Sequence, residues 1–290
     1  MKILRTGVLL ILLSVLLVVV GGAIGGHSGL KIALALAVLL NGISYFFSDK
    51  IALASSGAKR VSPDEVPRLY QVMERLAGKA RLPMPKLYVI PEAAPNAFAT
   101  GRNPQHASVA VTRGLLELMN DEELEGVIAH ELSHVRNYDI LTSSIAATIA
   151  GAITYLAEMA RWGMLFGGFG RDRDDNREGG GFAALLMIFL APVAALMLQL
   201  FVSRAREYSA DSTGARMVGQ PYGLISALEK LGAYNQRLPS TSLSPSTSAL
   251  CIVKPLFGGG AWSSLFSTHP PLEKRIQALR EMTVTPQRDE

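Results

Sequence analysis

The sequence predicts an α+β domain combined with a helical membrane domain of four transmembrane helices. Three observations predict it. The runs 6–26, 32–48, 140–157 and 182–203 contain no charged residue. The stretches outside them carry amphipathic helical spacing and short strand-like segments. Only 18% of the residues are charged and 49% are hydrophobic, whereas soluble domains are roughly a quarter charged.

The first uncharged run follows Lys2 and Arg5. At about 1.5 Å per helical residue it covers about 30 Å, one hydrocarbon core. A second run starts a few residues later, which disfavours a cleaved signal peptide, whose apolar region is shorter. Residues 1–54 therefore read as a transmembrane hairpin (spans 6–26 and 32–48) with a short Gly-rich connection. Lys50, Lys59 and Arg60 follow it. Together with Lys2 and Arg5 they place both ends of the hairpin in the cytoplasm, because basic flanks stay on that side.

Residues 55–139 read as the first segment of the α+β domain. Ser62, Pro63 and Glu65 have the pattern of a helix start, and Val66, Leu69, Met73, Leu76 and Ala80 continue at helical spacing. Pro83 and Pro85 end that helix. The stretches 86–90 and 107–112 read as strands, and 91–105, with its Pro, Gly and Asn, as a loop. Asn120 is placed to cap the next helix, whose first turn holds Asp121, Glu122 and Glu123, the charge sign a helix N-terminus favours.

Residues 140–203 read as a second transmembrane hairpin, with spans 140–157 and 182–203 around the Gly-, Arg- and Asp-rich 161–181. Residues 204–290 return to soluble character, with a Ser/Thr/Pro-rich loop at 238–248. Cys251 is the only cysteine, so there is no internal disulfide and no cysteine-built zinc cluster. The net charge is +4, but the basic residues are scattered or flank apolar runs. That pattern excludes a nucleic-acid partner and points to a lipid bilayer. The apolar runs hold almost no ionisable groups, which disfavours a pore or transporter.

The chemistry is concentrated at His130, Glu131 and His134, an H-E-x-x-H pentad on the Asn120-capped helix. Side chains four apart share a helix face, so both imidazoles can address one ion, with Glu131 beside them. Zinc suits imidazole and keeps a position open for water in catalytic sites, and Glu131 can take the proton of that water. Two histidines leave a protein ligand to find. Acidic residues, His27, His106 and His269 are all candidates. Glu207 stands out because Asp211 follows four residues later on the same helical face, where it could hold a ligating histidine through its other ring nitrogen. Spacing alone leaves open a solvated surface helix. A scaffold with structural zinc is the rival, but such sites normally use four protein ligands and few carboxylates.

The pentad with Asp139, together with the stretch from Ser203 to Asp211, resembles the M48 metallopeptidase family. The segments Asn96 to Gly101, Ala249 to Ile252 and Thr268 to Ile276 are similar to its bacterial, HtpX-type branch of membrane heat-shock proteases. The CAAX-processing branch has more spans and fits less well. The resemblance implies a zincin-like metallopeptidase domain with one Zn2+ per chain held by His130, His134 and Glu207, and Glu131 as catalytic acid/base. Asp139, in the same motif, is expected to support a histidine as Asp211 does. It implies cleavage of misfolded membrane proteins, with the site on the cytoplasmic face of a multi-pass protein of the bacterial inner membrane. His269 could donate a hydrogen bond to a developing oxyanion. The loop at Asn96 could bind substrate backbone as an added strand.

Overall fold

A computed structural model describes residues 2–145, 204–237 and 270–282. The expected spans 140–157 and 182–203, the 238–248 loop and His269 fall wholly or mostly outside the described residues.

Helix α1 (Lys2–Ser55) is interrupted at Gly26, whose φ of 55° and ψ of −141° belong to no helix. A left-handed φ with that ψ suits only glycine. Asn41 Nδ2 donates to Ser14 Oγ over 2.7 Å, although 27 residues of straight helix would hold them about 40 Å apart. The two halves therefore fold back on each other. The stretch Gly26–Ile43 is long and apolar enough to cross a membrane and is largely unburied by the rest of the protein. Instead of the expected loop, the connection is one residue wide: helix resumes directly after Gly26, so Lys31 lies within it.

The sheet holds β1 (Lys59–Arg60), β2 (Lys86–Ile90), β3 (Ala97–Thr100) and β4 (Ser108–Thr112), in the order β1-β2-β4-β3. Strands β2 and β4 are parallel, and β3 pairs antiparallel with β4, Phe98 opposite Ala110. Strand β3 lies where a loop was expected. Successive side chains on a strand face opposite ways. Ala97 and Ala99 enter the main core, while Phe98 packs with Ala52 and Leu53 from the end of α1. All four residues are buried, so no alternation of polar and apolar residues marks the strand.

Helix α2 (Pro67–Ala80) begins four residues later than the Ser62 cap predicts. Glu65 does accept hydrogen bonds from the Ser62 N–H and hydroxyl. However, Pro67 has no N–H to continue a helix from that cap, and its ring would crowd the preceding turn. The proline instead takes the first helical turn. At its other end, Arg81 adopts the left-handed conformation (φ 54°) and closes α2 before either proline.

Helices α3 (Arg113–Leu118) and α4 (Asp121–Arg136) follow β4. Asn120 caps α4 as expected: its Oδ1 accepts the Glu123 N–H at 2.9 Å, and Glu123 Oε2 accepts the Asn120 N–H at 2.8 Å. The chain re-enters helix at 139–145. Among the described residues three helices follow: α5 (Arg204–Val218), α6 (Tyr222–Arg237) and α7 (Leu272–Arg280). Leu69, Met73, Leu124, Ile128, Leu132, Leu224 and Leu228 form the core between the sheet and these helices.

Candidate active site

Helix α4 is buried over most of its length, which puts His130 and Glu131 in the interior. Helix α5 crosses it closely at Gly214. A Cβ there would sit 3.0 Å from the His130 backbone nitrogen and 3.1 Å from the Ala129 carbonyl carbon. Glycine lets the two backbones meet this way without either having to shift. The contact sets Glu207 and Asp211, two turns and one turn earlier on α5, against the histidines.

The Nε2 atoms of His130 and His134 lie 3.3 Å apart. Each is 3.7 Å from a carboxylate oxygen of Glu207. Donors about 2.0–2.1 Å from a tetrahedral ion stand about 3.4 Å from one another. The two 3.7 Å distances run to different oxygens of Glu207, but the spacings of this triangle are close to that figure, and these three residues could hold one cation. Carboxylates flank the far sides of the rings. Asp211 Oδ1 lies 2.9 Å from His130 Nδ1, somewhat off the line of its N–H, and Asp139 Oδ2 lies 3.5 Å from His134 Nδ1. Both orient Nε2 toward the triangle.

The electrostatics match that arrangement. Burial pushes Glu131 up to about 7, with Glu207 adding to the rise and His134 opposing it. Burial would lower His134, but Asp139, Glu207 and Glu131 raise it to about 9. Burial holds His130 below its ordinary value, against the pull of Asp211. A buried group of carboxylates that draws a proton onto a histidine is a place where a cation is stabilised.

Two contributors went unread in the sequence. The first is the Ala99 N–H of β3, which donates to Glu131 Oε2 over 2.7 Å and fixes that carboxylate. The second is Arg275, 1% exposed. Its Nε and Nη2 donate to the two oxygens of Asp211 over 2.8 and 2.7 Å, and Nη1 lies 3.7 Å from Glu207 Oε2. Burial works to raise the Asp211 carboxyl, but Arg275 holds it below the usual range. A signal was present: Leu272, Arg275, Ile276 and Leu279 share one helical face, which makes Arg275 the charge within an apolar stripe. Asn96, the residue before β3, continues its pairing: the Thr112 N–H donates to the Asn96 carbonyl and the Asn96 N–H to Thr112 Oγ1.

Three donors on one face of an ion, a carboxylate beside them and an apolar hairpin define a class, the membrane-bound zinc metalloproteases. Peptidase family M48 matches residues 63–283, and the chain belongs to that family. It is 54% identical to a Protease HtpX homolog of Desulfatibacillum aliphaticivorans, over 95% of this chain and 88% of that one. It is 52% identical to a Protease HtpX homolog of Syntrophobacter fumaroxidans, over 96% and 98%. Within the family it is of the HtpX type, and a scaffold with structural zinc is not favoured. The crystal structure of S. mikatae Ste24p aligns with a TM-score of 0.49 at 19% identity, covering 86% of this chain and 57% of that one.

Proposed function

We propose that His130, His134 and Glu207 hold one zinc ion per chain and that Glu131 is the acid/base of peptide-bond hydrolysis. The triangle of donors carries this reading. When bound, zinc supplies Lewis acidity to the scissile carbonyl and to water. Glu131, steadied by the Ala99 N–H, takes a proton from the attacking water and delivers it to the leaving amine nitrogen. Burial raises that carboxyl above its ordinary range, the direction that suits a group which takes and then gives a proton. Asp211 and Asp139 hold the rings of His130 and His134 in place. The edge of β3 that no strand pairs among the described residues accepts an extended substrate backbone beside the Ala99 N–H held by Glu131, with Asn96 at its start. His269 donates to the developing oxyanion.

The same reading extends to the whole chain. Residues 1–54 and 140–203 are two transmembrane hairpins, and 55–139 and 204–290 are the two segments of the peptidase domain. The site faces the cytoplasm from a multi-pass protein of the inner membrane and acts on misfolded membrane proteins. The basic residues flanking 6–26 and 32–48 support that orientation. Parity supports the second hairpin: His134 and Glu207 meet at one site, so the runs between them either both cross or both stay.

The test is zinc-dependent cleavage of casein by the purified full-length protein. Cleavage abolished by a chelator and restored by zinc is expected. Equal cleavage with and without the metal would overturn the reading.

A further inference from the structure

Glu131 and His134 stand on the same helix, yet each is held from outside it by a different segment. Ala99 of β3 holds Glu131, and Asp139 faces the Nδ1 side of His134. These two holding segments meet at Ser144. The chain leaves α4 through Tyr138, whose φ of 58° is left-handed, and is helical again over 139–145. Ser144 lies in that stretch, fully buried, and its hydroxyl donates to the Ile140 carbonyl over 2.7 Å. A serine hydroxyl has one hydrogen and two lone pairs. With the hydrogen directed at Ile140, the oxygen is left to accept. The Thr100 hydroxyl therefore donates to it over 2.6 Å, and the Gly101 N–H donates to the same oxygen at 3.4 Å.

Strand β3 needs such a tie. It has four residues and pairs with β4 alone among the described residues. A ladder on one side fixes its register but leaves the opposite edge without a strand to hold it. Phe98 and Thr100 are two apart, hence on one face of β3. Phe98 packs there on Ala52 and Leu53, an apolar contact that has no preferred direction. The Thr100–Ser144 bond is directional and buried at both ends. It lies one residue from the N–H that holds Glu131. A closed circuit results. It runs from His134 to Asp139, through Ser144 and Thr100 to Ala99 and Glu131, and back along α4.

We propose that Ser144 is a positioning residue for hydrolysis: through Thr100 it fixes β3, and with it Glu131, relative to the histidine donors. This rests on the peptidase reading above and adds to it a residue that touches neither metal nor substrate. A substrate strand pairs with β3 wherever that strand lies. What the tie sets is where the scissile bond and Glu131 stand relative to the donors. Loss of the tie therefore acts on the chemical step more than on binding.

Steady-state cleavage of labelled casein by the full-length zinc enzyme tests this with three variants. Ser144→Ala removes the acceptor, Thr100→Val removes the donor at nearly constant shape, and Thr100→Ser keeps the hydroxyl. The first two are expected to lower kcat by about 10- to 100-fold, the range for a misplaced reacting group. KM should stay within about threefold in all variants, and Thr100→Ser should keep most of the parental kcat. Combining Ser144→Ala with Thr100→Val should cost little beyond the larger single effect, because both break one bond. Parental kcat in Ser144→Ala overturns the proposal, as does a Thr100→Ser variant as slow as Thr100→Val. A loss confined to KM overturns it too, and each of these results leaves the peptidase reading standing. A parent enzyme that does not cleave casein removes that reading and the role of Glu131 with it.

A second measurement does not depend on activity. Amide hydrogen exchange is followed in the metal-free protein over residues 97–101 and over α2, where a global loosening would also register. Ser144→Ala and Thr100→Val are each expected to speed exchange over 97–101 by about tenfold or more, with α2 unchanged. Parental rates over 97–101 would sink the proposal. Equal acceleration over both segments would do the same, since it reports lost overall stability and no local tie.

Discussion

His130, Glu131 and His134 come from little more than one turn of a single capped helix, whereas Glu207, Asp211 and Arg275 come from two helices met much later in the chain. The first group is arranged by helical periodicity, which any segment of the right sequence would impose. The second is arranged by packing: α5 must touch α4 at Gly214, and α7 must bury an arginine against α5. The first half therefore supplies chemistry from local structure, and the second makes metal binding depend on the completed fold.

Five substitutions test that division. Glu131→Gln keeps the shape and removes the proton acceptor, so peptidase activity should fall by about 10²–10⁴-fold, while zinc content on the same preparation stays at the parent level. Near-parental activity would sink the assigned role. Glu207→Ala should weaken zinc binding by more than the roughly 100-fold ceiling for a supporting residue. An unchanged zinc affinity in a competition titration would mean that the remote half does not ligate.

Arg275→Met leaves Asp211 buried without its cation, which costs about 3–5 kcal/mol of stability. Zinc affinity should drop by about 10–100-fold through His130. Pairing it with Asp211→Asn should restore part of the stability in denaturant unfolding. Strict additivity of the two changes would show that they act separately. Gly214→Ala is the mildest. Its methyl meets the α4 backbone, so about 1–3 kcal/mol is lost, offset in part by the better helix propensity of alanine. A raised Tm would mean that the crossing has slack.

The same division explains what could be read from the sequence. Asn120, Asp121 and Glu123 announce the start of α4, and the pentad spacing follows from it. The stretch 86–90 shows its strand character directly. The start of α2 was misread because a good cap at Ser62 competes with Pro67, and the missing N–H wins. Strand β3 was hidden because both its faces are covered, by α4 on one side and α1 on the other. Arg275 was passed over because charges are common on a short helix, and the partner that buries it is 64 residues away.

The distance along the chain between His134 and Arg275 also has a consequence in time. At roughly 5–20 residues per second, synthesis leaves both histidines without Glu207 for several seconds, and Asp211 without Arg275 for longer still. The geometry at the triangle needs α5 against α4 and α7 against α5, so a nascent chain carries its pentad in an unarmed form. Until α5 and α7 have both docked, the pentad lacks Glu207 beside it and Asp211 lacks the arginine that holds it.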